Sequence, residues 1–356
     1  MKKSLIALAA LAAVSSTSFA QSSVTLWGVA DAGIAKQSQG GVSKTYLSSS
    51  GLSSSQLGFR GTEDLGGGMS ASFWLESGLT IDNGTASGVA FQRRSTVDLA
   101  GGFGAIRLGR DYTPSFWNHT VYDPFGTLGS GAGSNITLVA PAQANALTAA
   151  RTNNGVSYLY NFAANGASAV GQQGVTAQVT YALAENVSTA VANGKYVGAR
   201  LGYNAGPLTL ALATAKSNAA TGTVEYKETN IGGSYDLGVA NVMAKFGTND
   251  SNVAGTKFTW SSIGAKVPMG AGYIPVSFNT VKQDNAAGSK GNQFAIGYVH
   301  NLSKRTAVYT AYSKISNKNG ASYGFLGGNG GFSSGALGTA ANNGGTGFDL
   351  GVRHSF

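Results

Sequence analysis

Gly347-Phe348-Asp349-Leu350-Gly351-Val352-Arg353-His354-Ser355-Phe356 is the stretch that decides the fold. Phe348, Leu350, Val352, His354 and Phe356 fall on one side of a period-two pattern, and Asp349, Gly351, Arg353 and Ser355 on the other. A strand with one apolar face and one polar, charged face separates two unlike media. The apolar side meets either a protein core or lipid, and the rest of the chain decides which.

The same alternation recurs from end to end. Val175, Ala177, Val179, Tyr181 and Leu183 share a face, as do Val197, Ala199, Leu201 and Tyr203, and again Phe294, Ile296 and Tyr298. Sixteen candidate strands begin near Val24, Gln56, Met69, Phe91, Ala105, Gly155, Val175, Tyr196, Leu208, Lys227, Ala240, Lys257, Tyr273, Gln293, Thr306 and Gly347. Gly66-Gly67-Gly68, Asn204-Ala205-Gly206-Pro207 and Asn301-Leu302-Ser303-Lys304 read as short turns. Ser48 to Ser55, Asn249 to Gly255, Asp284 to Gly291 and Gly327 to Gly345 read as long polar loops. Short turns at one end and long loops at the other are the asymmetry of outer-membrane barrels. An even strand number lets the first and last strands pair, which removes the sheet edges that hydrocarbon does not tolerate.

Composition agrees. Gly is 53 of 356 residues, about twice its usual share, and charged residues are 11%, against roughly 25% in soluble domains. Apolar residues dispersed by alternation leave no long hydropathy peak. There is no cysteine. At the N-terminus, Lys2-Lys3, the apolar run Leu5 to Val14 and Ser18-Phe19-Ala20 form a secretory signal, expected to occupy residues 1–20 and leave a barrel of residues 21–356. There are 24 basic residues against 15 acidic ones. The basic residues are scattered singly along strands with no nucleic-acid motif, so no nucleic-acid partner is expected. The expected class is all-β: a 16-stranded antiparallel transmembrane β-barrel. From Tyr112 to Asn154 runs a connection of weak strand character containing Pro114, Pro124 and Pro141. A loop this long is functional or disordered, and the space available to it in a wide barrel is the lumen.

At this level the chain resembles the general porins of Gram-negative bacteria, most closely the betaproteobacterial type. The resemblance is carried by Ser23-Val24-Thr25-Leu26-Trp27-Gly28-Val29-Ala30-Asp31, Leu57-Gly58-Phe59-Arg60-Gly61-Thr62-Glu63-Asp64-Leu65-Gly66-Gly67-Gly68, Phe91-Gln92-Arg93-Arg94, Gly102-Phe103-Gly104-Ala105-Ile106-Arg107-Leu108-Gly109-Arg110 and the terminal Phe356. It implies a homotrimer in the outer membrane, in contact with lipid and lipopolysaccharide. It also implies a third loop folded inward to narrow the pore, and a terminal Phe356 read by the barrel-assembly machinery. The chain departs from the family pattern in carrying Arg93-Arg94 side by side and in a long loop whose one acid is Asp123.

Strand parity turns Arg60, Arg107, Arg200, Lys245 and Arg353 toward the lumen, because a charge on the lipid face costs about 2–4 kcal/mol near the midplane. The resemblance places Arg60, Arg93 or Arg94, and Arg151 at the constriction, together with Asp123 of the loop; an unbulged strand would point Arg93 and Arg94 to opposite faces. Guanidinium is charged at any working pH, so the expected function is passive diffusion of small solutes and ions with a moderate preference for anions. A substrate-specific channel is the alternative. Gly331-Phe332-Ser333-Ser334-Gly335 fits a nucleophile-elbow pattern but has no following helix. His119, His300 and His354 lack zinc-site spacing. Neither an enzyme nor a metal or cofactor is expected.

Overall fold

A computed structural model describes residues 23–84, 90–138, 150–162, 172–184, 194–218, 224–325 and 341–356. The signal segment, residues 139–149 of the long loop and the Gly331–Gly335 pattern lie outside the described residues. The strands are β1 (Ser23–Gln39), β2 (Val42–Ser49), β3 (Gln56–Gly66), β4 (Met69–Gly78), β5 (Arg94–Gly101), β6 (Gly104–Tyr112), β7 (Arg151–Tyr160), β8 (Gly174–Ala182) and β9 (Tyr196–Ala205). They continue as β10 (Leu208–Asn218), β11 (Glu225–Asp236), β12 (Asn241–Ser251), β13 (Phe258–Met269), β14 (Gly272–Gln283), β15 (Lys290–Asn301), β16 (Thr306–Lys318) and β17 (Gly345–Ser355). β1 pairs antiparallel with both β2 and β3, each strand from β3 to β16 pairs antiparallel with the next, and β1 pairs with β17, so the sheet closes.

Seventeen segments make sixteen staves, because β2 and β3 lie end to end along β1. The upper half of β1 pairs Ala32–Gln39 with Ser49–Val42, and the lower half pairs Ser23–Val29 with Thr62–Gln56. Between them, Ser50–Ser55 bulge opposite only Ala30 and Asp31. The Asp31 carboxylate holds the bulge: it accepts the N–H groups of Gly51 (3.3 Å), Leu52 (2.8 Å) and Ser53 (2.6 Å) and the Tyr309 hydroxyl (2.6 Å). The expected Ser48–Ser55 loop is therefore a break in the wall. The connection at the rim is the tight turn at Gly40-Gly41, both at positive φ. Connection length also alternates less strictly than expected, since β7 and β8 are joined by residues 161–173 at the short-turn end.

The faces follow the sequence. Leu350 is 52% exposed and Asp349 3%; the same contrast separates Leu108 from Arg107 and Leu201 from Arg200. Apolar side chains point outward and polar ones inward, as a lipid-embedded barrel requires, while the closed ladder satisfies the backbone. At the closing seam Gly28 and Phe356 exchange two backbone hydrogen bonds of 3.0 Å. The Phe356 ring covers Gly28 on the outside: a Cβ at residue 28 would stand 2.4 Å from the ring.

Candidate pore constriction

Tyr112 ends β6, and the chain turns inward at Thr113. Thr113 caps a helix at Pro114–Val121, its hydroxyl accepting the Phe116 N–H at 3.3 Å, with Pro114 at the first helical position. The helix packs on the inner wall of β8–β11. Its Asn118 accepts Arg200 Nε at 2.8 Å and donates to Asn230 at 2.8 Å. His119 Nε2 lies 2.8 Å from Glu228 Oε1. Tyr122 seats against Gly232, where a Cβ would come within 2.3 Å of its ring.

Asp123 is the next anchor. Its carboxylate takes the Lys245 ammonium of β12 at 2.8 Å and the N–H groups of Phe125 (2.9 Å) and Gly133 (3.0 Å). Both charged side chains have zero exposure. A one-turn helix at Ser134–Thr137 packs on β14 and β15. Ser130 donates both its N–H (2.6 Å) and its hydroxyl (3.0 Å) to Asp349 of β17. The loop closes where Thr113 N–H meets the Ala150 carbonyl at 3.0 Å. Its described residues 113–138 lie inside the barrel, along the wall from β8 to β17.

The facing wall, β3 to β7, carries arginines. Arg60 and Arg94 both stand over the Trp74 ring, at 5.2 and 4.5 Å from its centre. Arg93 reaches Glu76 (2.6 Å), Gln56 (3.1 Å) and the Tyr112 hydroxyl (3.4 Å). Arg151 opens β7, lies 4.3 Å over the Tyr112 ring, and donates to the Arg93 carbonyl at 2.7 Å. Arg107 is locked to Asp98 (2.9 and 2.7 Å) and Asp111 (2.5 Å), and Arg94 is 3.6 Å from the same Asp111.

Of the residues singled out in the sequence, Arg60, Arg93, Arg94 and Arg151 come together around Trp74 and Tyr112, with Arg107 behind them. Both members of the Arg93-Arg94 pair join this group: Arg94 is the first residue of β5 and points inward by parity, whereas Arg93 precedes the ladder and is free of its alternation. Arg200, Lys245 and Asp123 form a separate set beneath the loop. Parity placed Arg200 and Lys245 on the correct side, but the loop covers them, so Asp123 and Lys245 present no charge to the open lumen. Arg353 is half-buried beside Asp31 in the register. Trp74, Glu76, Asp98 and Asp111 join the group without a motif in the sequence to mark them, and Tyr112, expected as the start of the long connection, supplies a ring and a hydroxyl. Trp74 and Glu76 share the inward parity of β4, which was the available signal.

The sequence matches the Gram-negative porin family over residues 7–320. It is 40% identical to the outer membrane porin protein 32 of Delftia acidovorans, with all of both chains covered. It is 30% identical to an outer membrane porin of Bordetella pertussis, covering 88% of this chain and 94% of that one. The fold superposes on a solved anion-selective porin from Comamonas acidovorans with a TM-score of 0.84 at 37% identity, covering 94% of this chain and all of the other. A closed sixteen-stave barrel, apolar outside and polar inside, with a loop laid along its lumen, has the architecture of a channel through lipid, and the chain belongs to the Gram-negative porins as an outer-membrane diffusion channel.

Proposed function

We propose that the channel passes small hydrophilic solutes passively, without enzymatic turnover, and prefers anions moderately. Its constriction lies between the arginine wall of β3–β7 and the inward loop. One observation carries the reading: the wall and the loop do not balance. Arg60, Arg93, Arg94, Arg107 and Arg151 stand with only Glu76, Asp98 and Asp111, leaving the wall cationic, while Asp123, the one acid of the loop, is neutralised by Lys245. Fixed charge at a narrow point sets ion preference, and a guanidinium does not lose its charge with pH. The Comamonas porin's description as anion-selective supports the assignment. The test is the zero-current potential of single channels under a KCl gradient. A potential of the sign set by chloride is expected; one set by potassium overturns the proposal.

Three accompanying features belong to the same proposal. The assembly is a homotrimer, as in the trimer form of the similarly folded OmpT of Vibrio cholerae, and light scattering in detergent would give a three-chain mass. Residues 1–20 are a cleaved signal, so the exported protein would begin at Gln21. Phe356 serves barrel assembly, so Phe356→Ala would slow the appearance of heat-modifiable barrel in cells while leaving detergent refolding intact.

A further inference from the structure

The wall arginines divide by what they touch. Arg93, Arg94 and Arg107 each face a carboxylate, at 2.6, 3.6 and 2.7 Å. Among the described residues Arg60 makes no hydrogen bond and no ion pair, and its guanidinium meets the Trp74 ring at 5.2 Å. An aromatic face takes the flat side of a guanidinium and leaves its N–H fork unused. The carboxylate beside Trp74 is already spent: Glu76 accepts the Trp74 indole N–H at 3.2 Å and Arg93 Nε at 2.6 Å. A half-buried, always charged fork with nothing to hold is the group that recognises a carboxylate, two N–H groups to two oxygens.

Trp27 supplies the second half of the site. The register sets Trp27 opposite Gly58 and Thr25 opposite Arg60, so the indole is the diagonal neighbour of Arg60 on the inward face. Such neighbours lie about 7–8 Å apart, within reach of long and aromatic side chains. A Cβ at residue 58 would come within 2.5 Å of the indole Cε2 and Cζ2 and 2.7 Å of Nε1, so the ring lies across bare glycine backbone. The Trp74 ring meets it edge-on, 5.3 Å between centres at 68°. The Trp27 N–H is buried there without a hydrogen-bond partner, although an unpaired buried donor is destabilising. Packing and not hydrogen bonding fixes the ring. Gly58 covers its wall side, and the half-buried indole turns its other face to the lumen.

We infer that Arg60 and Trp27 form a subsite for aryl carboxylates, with the carboxylate on the Arg60 fork and the ring offset-stacked on the lumen face of Trp27. The inference rests on the anion preference proposed above and narrows it to a class of solute. The test uses the full-length porin in planar bilayers in KCl, with sodium benzoate or cyclohexanecarboxylate added as the probe. The two acids carry the same charge on rings of similar size, and only benzoate is aromatic. The readout is the concentration of acid that halves the chloride current. Wild type should bind benzoate about fivefold more tightly than cyclohexanecarboxylate, the worth of one aromatic pair. Trp27→Leu should bring that ratio to about one, and Trp27→Phe should keep most of it. Arg60→Gln should weaken both acids by about tenfold. Heat-modifiable mobility in gels shows which variants fold, and the comparison of the two acids on wild type needs no variant. Equal binding of the two acids by wild type overturns the subsite, as does a benzoate preference that survives Trp27→Leu. The zero-current potential of the same channels under a KCl gradient separates the two readings. Anion preference without benzoate preference overturns the subsite alone; benzoate preference in a cation-preferring channel supports the subsite and overturns the proposed ion preference.

Discussion

Replacing Asp123 with Asn separates two roles that a carboxylate on the inward loop can have. If it is a pore charge, its loss changes ion preference and little else. The structure gives it the other role. Its two oxygens hold Lys245, the Phe125 N–H and the Gly133 N–H, and neither member of the ion pair reaches solvent. Asn in its place keeps a neutral amide oxygen as acceptor but leaves the Lys245 ammonium buried without a counter-charge, its other hydrogen bond going to the His119 carbonyl 3.1 Å away. Breaking a buried pair in this way costs about 3–5 kcal/mol. Charged to the docked state of the loop, that is a factor of roughly a hundred to several thousand in its docked-to-undocked ratio. Single-channel recording of Asp123→Asn should therefore show excess open-channel noise and frequent sub-conductance steps, with a lower thermal midpoint for the detergent-solubilised protein. The double variant D123N/K245M, which removes both charges and keeps the volume, should recover most of the quiet behaviour, since exchanging a buried pair for apolar packing is close to neutral. A quiet, thermally unaltered Asp123→Asn channel whose single change is a stronger anion preference would refute this reasoning.

Arg107→Met should destabilise the barrel by about 3–5 kcal/mol, because Asp98 loses its bidentate partner and buried Asp111 exchanges a close ion pair for Arg94 at 3.6 Å; Arg107→Lys should recover only part of this, lacking the planar fork, as read from denaturant midpoints. Gly28→Val forces the Phe356 ring off the seam and meets the Gln56 carbonyl, 2.9 Å from the new Cβ; a loss of about 1–3 kcal/mol should lower the temperature of the heat-modifiable mobility shift, and Phe356→Ala in the same chain should restore part of it. The anion preference should shrink between 0.1 M and 1 M KCl, as the screening length falls from about 10 to about 3 Å; a preference unchanged over that range would place its origin in size and not in wall charge.

The strands were legible because lipid and water impose opposite demands on alternate residues. Every expected strand start has its counterpart, and the faces of Arg60, Arg107, Arg200, Lys245 and Arg353 follow from parity. What failed to read was tertiary. Val42–Ser49 was missed as a strand because the Ser-rich run that follows it looks like a loop, and only the fold brings Asp31 to the three backbone N–H groups that turn this run into a wall break. Arg93 could not be oriented because alternation governs residues inside a ladder, and Arg93 stands one position before it.

Parity fixes the side of a charge but not its depth, and this divides the inward charges into two kinds. Lys245 and Arg200 point at the lumen, yet the loop spends them on Asp123 and Asn118, so they hold the loop in place. Arg60 points the same way and meets the Trp74 face instead of a loop anchor, which orients a guanidinium without cancelling its charge, and Arg94 shares that face while standing 3.6 Å from Asp111. The loop's one carboxylate is consumed in docking, and what it would have offset on the opposite wall stays in force. Under the proposed wall-charge origin of ion preference, that preference and loop anchorage are coupled through a single residue: a sequence change that freed Asp123 from Lys245 would loosen the loop and put a carboxylate in front of the arginines at once.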